Sequence, residues 1–208
     1  MYATRSLMAA GILVAATLTL AAPLGCGGGA DESQQPTPGA LDSGEPAAQS
    51  TNRSAAIYAA VVRQLVTKDH TFGGADPGFK VVYVLDGVVA DAADPSKPPN
   101  AQEPKEPFSH DVKDGVRFLS TLADLPPVEF VPERASAVAG ASASSPGQVK
   151  NGGVLISLGP IQPNGKSVEV ETSLWINGLA GQWVTYVVEQ RDGGWSVTGI
   201  SGGRMAIS

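Results

Sequence analysis

Ten residues near the C-terminus set the tightest limit on how this chain folds. From Ser167 to Ile176, Val168, Val170, Thr172, Leu174 and Ile176 take every second position, with Glu169, Glu171, Ser173 and Trp175 between them and Ser167 before. Period two is the mark of a strand with one face in a core, and a one-residue slip would turn the whole apolar set to water. Gly153–Leu158 reads as the strand before it, joined through Pro163-Asn164-Gly165-Lys166, which carries the Asn-Gly hairpin signal. Gln182–Gln190 alternates next, Arg191-Asp192-Gly193-Gly194 turns, Trp195–Ile200 returns, and Met205–Ser208 reads as a last short strand. The expected unit is an antiparallel meander of about four or five strands with one wet face.

Helical spacing comes earlier in the chain. Ser54–Thr67 places Ile57, Val61 and Leu65 at i, i+4 and i+8, with Tyr58 and Val62 beside them, and Asn52 or Ser54 is available as the cap. A second helix is predicted from an N-cap at Ser109 to Ala123, with Val112, Val116, Leu119 and Leu122 as its buried stripe and Gly115 as its weak point. Pro126-Pro127 stops it. Phe79–Leu85 reads as a buried strand, ending its first part at Asp86-Gly87, and Val128–Val131 as a short edge strand. Asp91–Phe108 holds Pro95, Pro98, Pro99, Pro104 and Pro107, which excludes a helix or an inner strand. It is expected to be a surface loop, and the Ala/Ser-rich segment 135–149 a second loose one. Two helices on a mostly antiparallel C-terminal sheet make the class α+β, in one domain over 53–208.

The first 25 residues read as a removable address. Arg5 is the only charge before Asp31, and Leu7–Leu20 is an uncharged, mostly apolar run. A positive start followed by such a run is the pattern of a secretory signal. Ala21-Ala22-Pro23-Leu24-Gly25-Cys26 follows, with a small residue directly before the chain's single cysteine. This ending resembles the lipobox of bacterial lipoproteins. The resemblance implies cleavage before Cys26, lipid on its sulfur and usually on its new amine, and attachment to the cell membrane or envelope on the extracytoplasmic side. Pro23 stands where that family usually has Leu, and Leu24 sits one place late. Two other readings of the stretch remain: cleavage by an ordinary signal peptidase nearby, or retention of 7–25 as a membrane helix, since ~18 apolar residues can span a bilayer.

Residues 26–52 then read as a lipid-anchored flexible linker. Beyond Cys26 they are rich in Gly, Ser, Pro, Gln and Ala, with Leu41 the one large apolar side chain and Asp31, Glu32, Asp42 and Glu45 as acids. Such a segment buries too little apolar surface to order itself. As a coil its r.m.s. span is roughly 28 Å, enough to hold a domain clear of headgroups.

The chemistry-bearing residues are few. A net charge of −6 argues against nucleic acid, which requires a basic face, and against electrostatic adhesion to anionic lipid. One cysteine excludes an intramolecular disulfide and a multi-Cys zinc site. His70 and His110 are the only histidines, and Ser109-His110-Asp111 in a row is no triad, because neighbours on a helix diverge. Asp69, His70 and Asp76 lie close in sequence, but Gly73-Gly74 between them also suits a plain turn, so no metal or cofactor is expected. Phosphate-loop and G-x-S-x-G patterns are missing. Glu169 and Glu171 share a strand face and read as solvent-facing charge.

Trp175, Trp183 and Trp195 fall on neighbouring strands and are candidates for a groove, or else for cross-strand packing. Residues 153–202, closing on Gly-Gly-Trp-Ser-Val-Thr, are similar to the last strands of cystatin-like and NTF2-like domains. The likeness implies a curved sheet around one or two helices and carries no activity with it. The mature domain as a whole resembles those of secreted bacterial lipoproteins. The expected role is a non-enzymatic binding or interaction module with a possible envelope protein partner. The alternatives are a carrier of a small apolar ligand, or an enzyme with an unidentified pocket.

Overall fold

The structure, a computed structural model, describes residues 45–70, 78–97, 102–142 and 144–207. The signal, Cys26, most of the linker and Asp76 lie outside them. The elements are α1 (Glu45–Thr67), β1 (Val82–Val88), α2 (His110–Leu122), β2 (Val128–Val131), the single turn α3 (Arg134–Ala137), β3 (Val138–Ala139), β4 (Gln148–Val149), β5 (Val154–Asn164), β6 (Ser167–Asn177), β7 (Ala180–Arg191) and β8 (Gly194–Ile207). The class is α+β, as the patterning requires.

β5 to β8 form the antiparallel meander, and its register follows the alternation. Val168, Val170, Thr172 and Leu174 are at most 1% exposed and pair with Val188, Tyr186, Val184 and Gln182 of β7. At the first hairpin Asn164 pairs with Ser167, so the turn residues are Gly165-Lys166, with Gly165 in the left-handed region at φ 62°. Two parallel strands extend the sheet beyond β5, in the order β2-β1-β5-β6, with β7 and β8 continuing from β6. α2 is the crossover that parallel pairing of β1 and β2 demands. β3 and β4 form a two-residue ladder attached to the end of β6 at Asn177.

α1 lies over β5, β7 and β8, and α2 packs on α1 and β2. Ile57, Val61, Val62 and Leu65 have no exposed surface. Each such side chain contributes ~1.5–3 kcal/mol by leaving water. Tyr58 enters the same core, and its hydroxyl donates to the Gly159 carbonyl at 3.1 Å.

Several expectations are corrected. α1 begins at Glu45, nine residues before Ser54 and inside the expected linker. Pro46 suits a first helical turn, where the missing N–H has no acceptor, and Ala47-Ala48 propagate the helix well. Ser54 is therefore mid-helix, its hydroxyl donating to the Ser50 carbonyl at 3.2 Å. β1 starts later than expected and passes through Asp86-Gly87, where the missing side chain lets the Glu106 carbonyl oxygen come within 2.3 Å of the place a β-carbon would take. The proline-rich stretch is fastened: Val88 and Glu106 form a bridge, and Ala92, Gln102 and Phe108 are buried. The 135–149 segment supplies α3, β3 and β4, with Ala137, Val138 and Val149 buried.

The meander's second face is consequently not uniformly wet. Val81, Tyr83, Leu85, Val131, Val138, Leu155 and Trp175 form a second apolar cluster on it. Ser173 is buried there too, its hydroxyl donating to Gln102 Oε1 at 3.0 Å.

Candidate functional site

α2 presents two apolar fronts. Ser109 caps it, its hydroxyl accepting from the Val112 amide at 3.3 Å. Val112, Val116 and Ser120 face the core. Helical residues advance about 100° each, so Leu122 stands about 120° from Val116, and Phe118 about 40° beyond Leu122. Phe118 is 63% and Leu122 66% exposed, which corrects the expected stripe at Leu122, while Leu119 is half-buried. Two large apolar side chains one turn apart in water form a patch that calls for an explanation.

Beside this patch lies a groove of about 360 Å³ between α1, α2 and the β7–β8 turn. Ala56, Ala59 and Ala60 floor it, Leu119 and Leu122 wall one side, and Trp195 walls another. Arg63 is its charged lining residue. Arg53, one turn before Ala56 on α1, stacks over the Trp195 ring at 5.1 Å. Among the described residues neither arginine has a carboxylate within salt-bridge distance.

A second concavity of about 430 Å³ opens where the C-terminal end of α1 meets β7 and β8. Asp69 Oδ2 there accepts from the Tyr186 hydroxyl at 2.8 Å and from Gln64 Nε2 at 2.9 Å. Burial, then the hydrogen bond to Asp69 and its charge, raise the Tyr186 pKa far above its ordinary value. Tyr186 is thereby held as a hydrogen-bond donor and is unsuited to serve as a base. Val197 and Ile200 supply apolar lining, and Lys68 an exposed charge.

The three tryptophans do not share one face. Trp175 and Trp183 are 4% and 7% exposed and stand diagonally across β6 and β7, since Trp175 pairs with Gly181 and Ser173 with Trp183. Arg134 covers Trp175 at 4.0 Å from the ring centroid. Trp195 packs on the other, helix-bearing side against the main core.

The remaining candidates separate. His70 is buried after α1, and His110 is exposed at the start of α2. Glu169 accepts from Asn164 Nδ2 and the Ser201 hydroxyl, each at 2.8 Å. Glu171 is half-buried under the Asp91–Asp94 turn, not solvent-facing. Burial and then Asp91 raise its pKa, opposed by the backbone amides of Ala93 and Ala92. Among the described residues no group of three or more His, Cys, Asp or Glu is placed to hold a metal, and no helix is long and apolar enough to cross a membrane. The sequence does not assemble the groove because most of its lining is alanine and glycine, which carry no chemical signature; Trp195, a groove candidate in the sequence, and the misassigned Leu122 were its traces.

No family model, curated protein or solved structure matches the chain.

Proposed function

We propose that this chain is a lipid-anchored envelope protein whose domain is a non-enzymatic module for binding a protein partner outside the cytoplasm. The observation that carries the binding role is the exposed pair Phe118 and Leu122 beside the α1–α2 groove. The attachment rests on Arg5, the apolar run Leu7–Leu20 and Gly25-Cys26. A single acyl chain holds a protein marginally, and two or more hold it stably, at ~0.8 kcal/mol per buried CH₂. α1 starts at Glu45, so the stretch available as a tether after Cys26 is shorter than the sequence suggested.

The test is cross-linking of intact cells making tagged wild-type protein, beside Cys26→Ala, with mass spectrometry of the captured material and of the bait's own N-terminus. The expected result is a bait beginning at lipidated Cys26, with a protein neighbour that is lost when the cysteine is replaced. A bait without lipid overturns the anchor. A lipidated bait with no protein neighbour overturns the module.

The apolar lining that Val197 and Ile200 give the concavity at Asp69 and Tyr186 favours a second reading, a carrier of a small apolar ligand. Its volume of about 430 Å³ falls in the range of small-molecule sites. Native mass spectrometry of protein taken from its host membrane tests this reading. A bound small molecule is expected under it, and apo protein throughout would exclude it.

A further inference from the structure

Two strips on the α1–α2 face complement each other. On α1, Arg53, Ala56, Ala60 and Arg63 recur at helical spacing, with cations at both ends and small residues between. On α2, Asp111, Gly115, Phe118 and Leu122 recur the same way, with an acid at one end and bulk at the other. By helical rise the strips are about 15 Å and about 17 Å long. One offers a depression with cations that have no acidic partner among the described residues; the other offers exposed bulk and an exposed carboxylate. Both belong to a single face.

We propose that this face is where two copies of the chain meet about a two-fold axis, a proposal that rests on the reading of the domain as a protein-binding module. A two-fold contact is self-complementary by construction: whatever one copy inserts, it also receives. Phe118 and Leu122 of one copy seat over Ala56 and Ala60 of its partner, and Asp111 approaches an arginine, twice. A second copy accounts for the groove and the protruding side chains together, whereas a small ligand or short peptide would fill the groove and leave the Phe118 ring in water. The charge pattern favours it as well. Copies of a chain with 20 acidic and 14 basic residues repel each other through most faces, and this one brings cations against an acid.

The full chain, extracted from its host membrane in density-matched detergent, is examined by sedimentation equilibrium. The expected result is a dimer at micromolar concentration. Leu122→Asp raises its dissociation constant at least ~30-fold, as a central contact does when a charge replaces it. Leu122 is 66% exposed in the single copy, so the thermal transition of that variant, measured at low concentration, stays in place and excludes misfolding. Arg63→Glu weakens the dimer, and adding Asp111→Arg restores part of the loss. A wild-type chain that stays monomeric to ~100 µM, far above the usual range of specific protein contacts, overturns the proposal. So does a Leu122→Asp variant that dimerises like wild type. A monomer that still captures an envelope protein in cells overturns the second copy and leaves the module standing. A dimer indifferent to Cys26→Ala supports the face whatever becomes of the anchor.

Discussion

Gly115 of α2 stands so close to Ala55 of α1 that a β-carbon on the glycine would lie 2.7 Å from the Ala55 Cβ. Alanine at this position gains ~1 kcal/mol in helix propensity over glycine. Overpacking a tight contact costs ~1–3 kcal/mol, and the Ala55 methyl has no rotamer by which to withdraw. Gly115→Ala is therefore expected to lower stability by ~1 kcal/mol in urea denaturation. Ala55→Gly in the same chain should recover the packing part of the loss. A stabilised single variant would show that the helices can move apart freely.

The glycine illustrates what was legible in the sequence. Read alone, Gly115 is a weak point in a helix; its reason lies sixty residues earlier in the chain, at Ala55. Features whose partners are local or periodic were readable: the β6 alternation, the Ser109 cap, the apolar face of α1. Features decided by distant chain were not. Ser173 and Trp175 occupy positions that alternation assigns to water, and they are covered by Gln102 and Arg134, which no period links to them. The start of α1 was misplaced because linker-like composition masked a proline suited to a first turn. Of the site, Trp195 alone was singled out in the sequence as a groove candidate, and the groove itself had to wait for the packing of α1 on α2.

Tyr58 makes the alkaline limit of the fold measurable. Burial pushes its hydroxyl pKa from 10.0 to about 12. The folded state thus prefers the protonated phenol more than the unfolded chain does. The stabilisation is complete below the unfolded value and is lost as pH rises from about 10 through about 12. Tyr186 is shifted in the same direction. Ultraviolet titration should show tyrosine ionisation coupled to loss of the near-ultraviolet dichroism. Tyr58→Phe should weaken the pH dependence in that window and, at neutral pH, cost ~1–2 kcal/mol by leaving the Gly159 carbonyl without its donor. Independent, fully reversible ionisation of every tyrosine in folded protein would contradict this.

Glu171 predicts the opposite of an ordinary surface glutamate. Burial first, and Asp91 second, raise its pKa. A raised carboxylate favours the folded state below its unfolded pKa and loses that contribution as pH climbs through the folded value. Glu171→Gln keeps an oxygen to accept from the Ala93 and Ala92 amides and removes the charge. The variant is expected to melt higher than wild type at neutral pH, with the advantage shrinking as acid protonates the wild-type side chain. Thermal melts of both proteins across the acid range check this, and equal midpoints at neutral pH would rule it out.

Gln182 presents the sharpest internal conflict. It has no exposed surface, and neither its Nε2 nor its Oε1 has a hydrogen-bond partner among the described residues. Its strand neighbours across the ladders are Leu174 and Ile207. The amide surrenders its hydration and receives nothing in return, which costs ~1–3 kcal/mol per unsatisfied group. An apolar side chain of similar volume escapes that penalty and keeps the space filled. Gln182→Met is therefore expected to raise stability by ~1–3 kcal/mol in chemical denaturation. Gln182→Ala should lose stability despite also removing the amide, since it opens a cavity beside Leu174. The pair of variants separates polarity from volume. If Gln182→Met is destabilised as much as Gln182→Ala, the amide is satisfied in solution, and an ordered water bonded to it would be the thing to look for.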